Sequence, residues 1–213
     1  MRAATRTRAP GVYDLIAGRS LDRLAALSDG IFAVAMTLLV LDLRVPLSDA
    51  PRSETALWHA LGSLGPQFLT YFMSFLTLGI FWLGQQAQLS QFERGNRRLA
   101  WIHVAFLCAV ALMPFSTSLL AEFVHQRLAM AVYWANLAAL GALLYASIAY
   151  AQRMRFLGDD DAVTLHKRRI AGYQVVYAVC FAFCVVDTYV SIALIFAAQL
   201  FSVVSGRVSP FRS

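Results

Sequence analysis

The sequence predicts an all-α integral membrane protein with six transmembrane helices, and three observations lead there. Of its 213 residues 59% are apolar and 14% charged, whereas a soluble domain averages roughly 45–50% apolar. Runs approaching or exceeding the roughly 20 apolar residues that a helix needs to cross a bilayer core recur along the whole chain. Lys and Arg gather in the connections between these runs, mostly in every second connection. The formal net charge of +6 invites a nucleic-acid reading, but that reading needs the cations on one water-exposed face. Since they sit in loops, no nucleic-acid partner is expected.

The first span runs from about Leu24 to Val45 and stops before Pro46, because proline ends helices. The arginines before it (Arg2, Arg6, Arg8, Arg19, Arg23) resemble the n-region of a signal peptide, but no small-residue cleavage pattern follows, so the run reads as a retained span. A polar stretch, LSDAPRSET, comes next. The second span covers Pro66 to Gln85, and the third covers Leu99 to Leu120 with a kink expected at Pro114. The fourth covers Leu128 to Tyr150, before a hydrophilic loop, RMRFLGDDDAVTLHKRR.

From Ile170 to Ser205 the chain is again almost all apolar, and 36 residues of helix would measure about 54 Å. That exceeds one bilayer. Asp187 and Thr188 near the middle divide it into two short spans, Ile170 to Val186 and Tyr189 to Ser205. The expected organisation is an N-terminal tail (1–22), a six-span domain (23–206) and a C-terminal tail (207–213). With both termini inside, fifteen Lys and Arg face the cytoplasm and three (Arg44, Arg52, Arg127) face out, which the positive-inside rule requires of a plasma-membrane (inner-membrane) protein in this orientation.

Asp29 is the oddity of the first span, a carboxylate followed by a dozen largely apolar residues. A charge near or inside the bilayer must be paired or hydrated. Helical spacing puts Leu27, Ile31, Val34, Leu38, Leu41 and Val45 in one stripe. Asp29 lies about 140° round the helix from Val34, and Thr37 about 60° from it. By spacing alone, such a stripe reads as packing or lipid contact.

The run Arg23-x-x-x-Leu27-Ser28-Asp29-Gly30, followed by IFAVAMTLLVLDLRVP, resembles the first-span signature of the bacterial members of the transmembrane protein 175 family of potassium channels. PQFLTYFMSFLTLGIFW (Pro66 to Trp82) and NRRLAWIHVAFLCAVALMPFST (Asn96 to Thr117) are similar to that family's second and third spans. The resemblance covers Arg23 to Thr117; later spans match in hydropathy and placement only. Leu27 stands where the family has Phe, Val34 where Ile is usual, and Gln85 and Gln86 where a His pair is common. The Gln pair removes titratable groups, so pH sensing by that pair is not carried over, although an amide still donates to a carboxylate.

The resemblance implies a homotetramer of six-span subunits whose first helices line a central pore passing K⁺. Its constriction is then made of aliphatic rings at Val34, Leu38 and Leu41, with Thr37 as a flanking hydroxyl. Thr37 equally reads as a hydroxyl bonded to its own helix. Arg23, Ser28 and Asp29 would join Gln85 and His103 of the second and third spans in a polar network that holds the pore helix. No TVGYG-like carbonyl filter is present. A narrow apolar collar favours K⁺, which sheds its hydration shell more readily than Na⁺.

The alternative is a secondary or proton-coupled transporter in which Asp29 titrates. Catalysis is not expected, because His59, His103, His125 and His166 have no mutual spacing that suggests a metal site or a relay. Asp159, Asp160 and Asp161 read as a solvated loop, and Cys108, Cys180 and Cys184 as free thiols. Trp58, Trp82, Trp101 and Trp134 read mostly as interfacial anchors. The expected partners are a second copy of the chain, lipid and monovalent cations, with no cofactor.

Overall fold

The computed structural model describes residues 12–44, 53–157 and 160–204, and these form a bundle of eight α-helices. α1 (Val12–Leu38) continues as a 3-10 turn over Leu39–Asp42, and the short α2 (Glu54–Ser63) leads into α3 (Gly65–Leu89). α4 (Arg97–Ala111) and α5 (Met113–Glu122) follow, then α6 (Arg127–Arg153), α7 (Asp160–Ala182) and α8 (Thr188–Val204). Pro46, Asp159, the expected C-terminal tail (207–213) and residues 1–11 of the N-terminal tail lie outside the described residues.

Among the described residues five segments are long and apolar enough to cross a membrane: Leu21–Asp42, Gly65–Leu89, Arg97–Glu122, Arg127–Arg153 and Val163–Val185. α8 is apolar but has 17 residues, about 26 Å of helix against a core of about 30 Å. The chain is a multi-pass membrane protein. α1 starts well upstream of Leu24, and α2 occupies part of what reads as a polar connection. Ser53 starts α2 by accepting the Ala56 amide at 3.2 Å, and none of the helix is buried.

α7 begins ten residues before Ile170, inside the expected loop. Its Val163 and Ile170, seven apart, both face the core, while Lys167 donates to Gln152 Oε1 of α6 at 3.2 Å. Hydropathy marks these residues as wet, but a helix can run past the membrane edge into water. The break between α4 and α5 falls at Leu112, two residues before Pro114, which has no N–H to give Val110. Ser116 and Thr117 bond locally there, donating to the Met113 carbonyl at 3.0 and 2.8 Å. The division near Asp187 is present: its carboxylate accepts the Tyr189 and Val190 amides at 2.6 and 3.3 Å and caps α8.

α6 is the central helix, with Tyr133, Leu137, Leu140, Leu144 and Ile148 buried against α4, α5 and α7. It ends in a Schellman turn, in which the Phe156 amide donates to the Ala151 carbonyl at 2.9 Å and the Arg155 amide to Gln152 at 3.0 Å. Arg155 takes φ 56° there. An antiparallel bridge between Phe92 and Leu157 joins this turn to the loop after α3. Asn96 caps α4 by accepting the Leu99 amide at 2.9 Å and donates to the Tyr150 hydroxyl at 2.8 Å, tying the same end together.

Candidate functional site

α1 has two faces. Leu24, Ser28, Phe32, Ala35 and Leu39, at steps of four, four, three and four, are buried against α3 and α4. On the opposite face Val34, Leu38 and Leu41 are 56%, 43% and 59% exposed in the single chain. An apolar groove of about 450 Å³ runs along this face between Leu27, Gly30, Ile31, Val34 and Leu38, with Ala111 of α4 on its wall.

Leu41 lies in the 3-10 turn. Residues three apart eclipse in that winding, so Leu41 stands above Leu38, where an α-helix would offset it by about 60°. The stripe is straighter than uniform α-helical winding implies. Thr37 is exposed and its hydroxyl sits 3.0 Å from the Ala33 carbonyl and 2.9 Å from that of Val34, so its proton is held by its own helix.

Ser28, fully buried, donates to the Leu24 carbonyl at 2.8 Å and accepts from the Gln85 amide at 2.8 Å. Asp29 accepts from Trp82 Nε1 at 2.8 Å and from Gln86 Nε2 at 2.5 Å, both on one carboxylate oxygen. Trp82 and Gln86 are four apart on α3, so one helical face meets the carboxylate twice. Ser28 and Asp29 of α1 therefore both bond to α3, Ser28 to Gln85 and Asp29 to Trp82 and Gln86.

His103 bonds elsewhere: its Nδ1 lies 3.2 Å from the Leu99 carbonyl and 3.4 Å from Ser147 Oγ of α6, and its ring stands edge-on to Phe92. Arg23 is exposed, and none of the bonds that hold Ser28, Asp29 and Gln85 reaches it. Sequence reasoning missed Trp82, because a tryptophan late in a span reads as an anchor. Trp134 is likewise no simple anchor, being stacked on Phe181 with centroids 4.7 Å apart.

A second polar cluster lies in the bundle core. Thr117 Oγ1 of α5 lies 2.8 Å from Ser74 Oγ of α3, Ser74 and Thr77 each lie 3.3 Å from the Tyr133 hydroxyl of α6, and Gln199 of α8 donates to Thr77 at 2.6 Å. Among the described residues no group of three His, Cys, Asp or Glu is placed to hold a metal, and the three cysteines are free.

Residues 23–114 match the family model described as endosomal/lysosomal potassium channel TMEM175. A potassium channel of Streptomyces collinus is 41% identical over 115 residues, which is 52% of this chain and 54% of that protein. One of Chamaesiphon minutus is 30% identical over 189 residues, 84% of this chain and 91% of that protein. The human endosomal/lysosomal proton channel TMEM175 is 30% identical over 119 residues, 54% of this chain and 24% of that protein. The chain thus spans about half the length of the Streptomyces relative. The crystal structure of a lysosomal potassium-selective channel TMEM175 homolog from Chamaesiphon minutus superposes with a TM-score of 0.79 at 26% identity, covering 90% of this chain and 99% of that one.

Proposed function

The chain belongs to the endosomal/lysosomal potassium channel TMEM175 family, and from that membership we propose that it forms a leak-type, potassium-permeable channel and is not an enzyme. The observation that carries this reading is the exposed aliphatic stripe of α1, in a chain whose bacterial relatives are named potassium channels. In the channel four subunits, each crossing the membrane six times with α8 as the sixth span, bring their α1 helices to one axis. Val34, Leu38 and Leu41 form successive hydrophobic rings there. Such a collar resists wetting and requires an ion to shed part of its hydration shell.

Thr37 flanks the collar. Its proton is committed to the helix, which leaves the oxygen lone pairs for a passing cation. Ser28 and Asp29, with Gln85, hold the rotation of α1, and Arg23 and His103 belong to the same polar end of the bundle. The excess of cations on one side supports a plasma-membrane location with both termini in the cytoplasm. The carrier reading has less support, because Asp29 is engaged by Trp82 and Gln86 and points away from the stripe.

The test is potassium flux in liposomes containing the purified chain. Wild type should pass net K⁺ current, with a reversal potential set by the gradient. Leu38→Asn and Leu41→Asn should raise flux by hydrating the collar, and Val34→Ala should change selectivity. Three variants indistinguishable from wild type would remove the pore assignment, and saturating, counterflow-coupled uptake would restore the carrier.

A further inference from the structure

α6 ends at Arg153, α7 starts at Asp160, and the two helices pack against each other. In the seam between them Lys167 of α7 reaches across to α6. Its ammonium donates to Gln152 Oε1 at 3.2 Å and stands 5.2 Å from the centroid of the Tyr145 ring. Gln152 and Tyr145 are seven apart, about two turns along one face of α6, so the ammonium sits between them. Lys167 and Gln152 are half-buried, and Tyr145 is 39% exposed.

Both partners are neutral. The ring attracts the cation through its quadrupole and the amide through its oxygen, so together they orient the charge and leave it uncancelled. Asp160 and Asp161 stand at the start of α7, about two turns away along the helix. At the same end of the bundle Arg153, Arg155, Arg168 and Arg169 are exposed. Such a place favours an anion, and an ammonium with three N–H groups, one of them given to Gln152, has donors left for it.

The surroundings decide which anion. Lys167 lies about 6 Å inside the end of Val163–Val185, a segment long and apolar enough to cross a membrane. From Lys167 toward the middle of that segment the exposed residues are small or apolar: Ala171 and Val175 on α7, and Ala142 on α6. A phosphate dissolved in water gains nothing from that surface. A phospholipid gains from both parts, because its phosphate lies at the level of the helix ends while its acyl chains run inward beside them. Tyr145 suits the same depth, where one end of the ring is apolar and the other wet.

We propose that Lys167, set between Tyr145 and Gln152, is a docking site for the headgroup phosphate of an anionic phospholipid whose acyl chain lies along Ala142, Ala171 and Val175. The ring and the amide hold the ammonium at the membrane edge, so the phosphate meets a fixed donor. The site is built from contacts within one chain and does not depend on which ion the chain passes.

The test offers the full chain, purified in detergent, phosphatidylglycerol or phosphatidylcholine with the same acyl chains, and reads the first bound lipid by native mass spectrometry. Wild type should retain phosphatidylglycerol in preference to phosphatidylcholine. Lys167→Gln should weaken that retention about fivefold, the equivalent of about 1 kcal/mol for one basic residue at a membrane surface, and Lys167→Arg should keep it. Tyr145→Leu leaves every charge in place and should weaken it too. Arg98→Gln, exposed at the start of α4, should leave the first lipid bound. Equal retention of the two lipids by wild type would overturn the proposal, as would equal losses in Lys167→Gln and Arg98→Gln, the mark of a diffuse basic surface. So would displacement by glycerol phosphate at the concentration of the lipid, the mark of a site for soluble phosphate. Should Lys167→Gln fail to fold, Tyr145→Leu decides, and wild-type retention in that variant would refute the site.

Discussion

Arg155 is the one described non-glycine residue in the left-handed region, where an L side chain costs about 1–2 kcal/mol. Arg155→Gly should therefore raise the melting temperature, by the equivalent of about 1 kcal/mol, and Arg155→Val should lower it, read by thermal unfolding in detergent. The sequence carries no mark of this position, because turn residues announce themselves only when they are Gly or Asn. Asp29 was legible, since a carboxylate ahead of a dozen largely apolar residues demands a partner. Its partners were half legible: a Gln amide is a plausible donor at that end of α3, but Trp82 depends on how α1 turns against α3, which spacing along one helix does not specify. A double-mutant cycle of Asp29→Asn with Trp82→Phe should give a coupling of about 1 kcal/mol, within the range for polar pairs in membranes. Strictly additive losses would show that the indole and the carboxylate do not communicate.

Between elements, α7 meets α6 at Gly141, where an added Cβ would collide with the Gln174 side chain. Gln174 lies over this gap with its amide 3.4 Å from the Leu137 carbonyl. Gly141→Ala should displace it and destabilise by about 1–3 kcal/mol, seen as a lower melting temperature, and Gln174→Ala in the same chain should recover part of the loss. Apolar runs made the spans legible, and the proline and the acidic residue marked the α4/α5 break and the start of α8. α2 and the first ten residues of α7 were not, because hydropathy reports solvent preference and says little about whether a wet segment is helical. The 3-10 winding of Leu39–Asp42 likewise has no signature in its residues, LVLD, which α-helix would accept equally well.

Across the whole molecule, the hydroxyl and amide cluster of Ser74, Thr77, Thr117, Tyr133 and Gln199 joins α3, α5, α6 and α8. No single span predicts it, since each contributes only one or two modest polar residues and the cluster exists only after the helices pack. In lipid, such bonds replace the hydrophobic drive that holds soluble bundles together. α8 is short, and the Gln199 bond anchors it near its middle. Gln199→Leu should speed hydrogen exchange in α8 roughly fivefold, the equivalent of about 1 kcal/mol for one bond, and leave α1 unchanged. Equal loosening of both helices would mean that the bundle opens as a single unit.

The four residues that follow Leu38 continue α1 on a tighter screw. Changing that screw needs no side chain to move between solvents and no helix to tilt, only an exchange of carbonyl partners one position along the backbone. Rewinding it to the α pitch would swing Leu41 through about 60° and draw it about 1.5 Å toward Leu38. In the proposed tetramer every copy would turn its leucine off the axis by the same arc, so a hinge one turn long would set how wide the proposed ring at Leu41 stands.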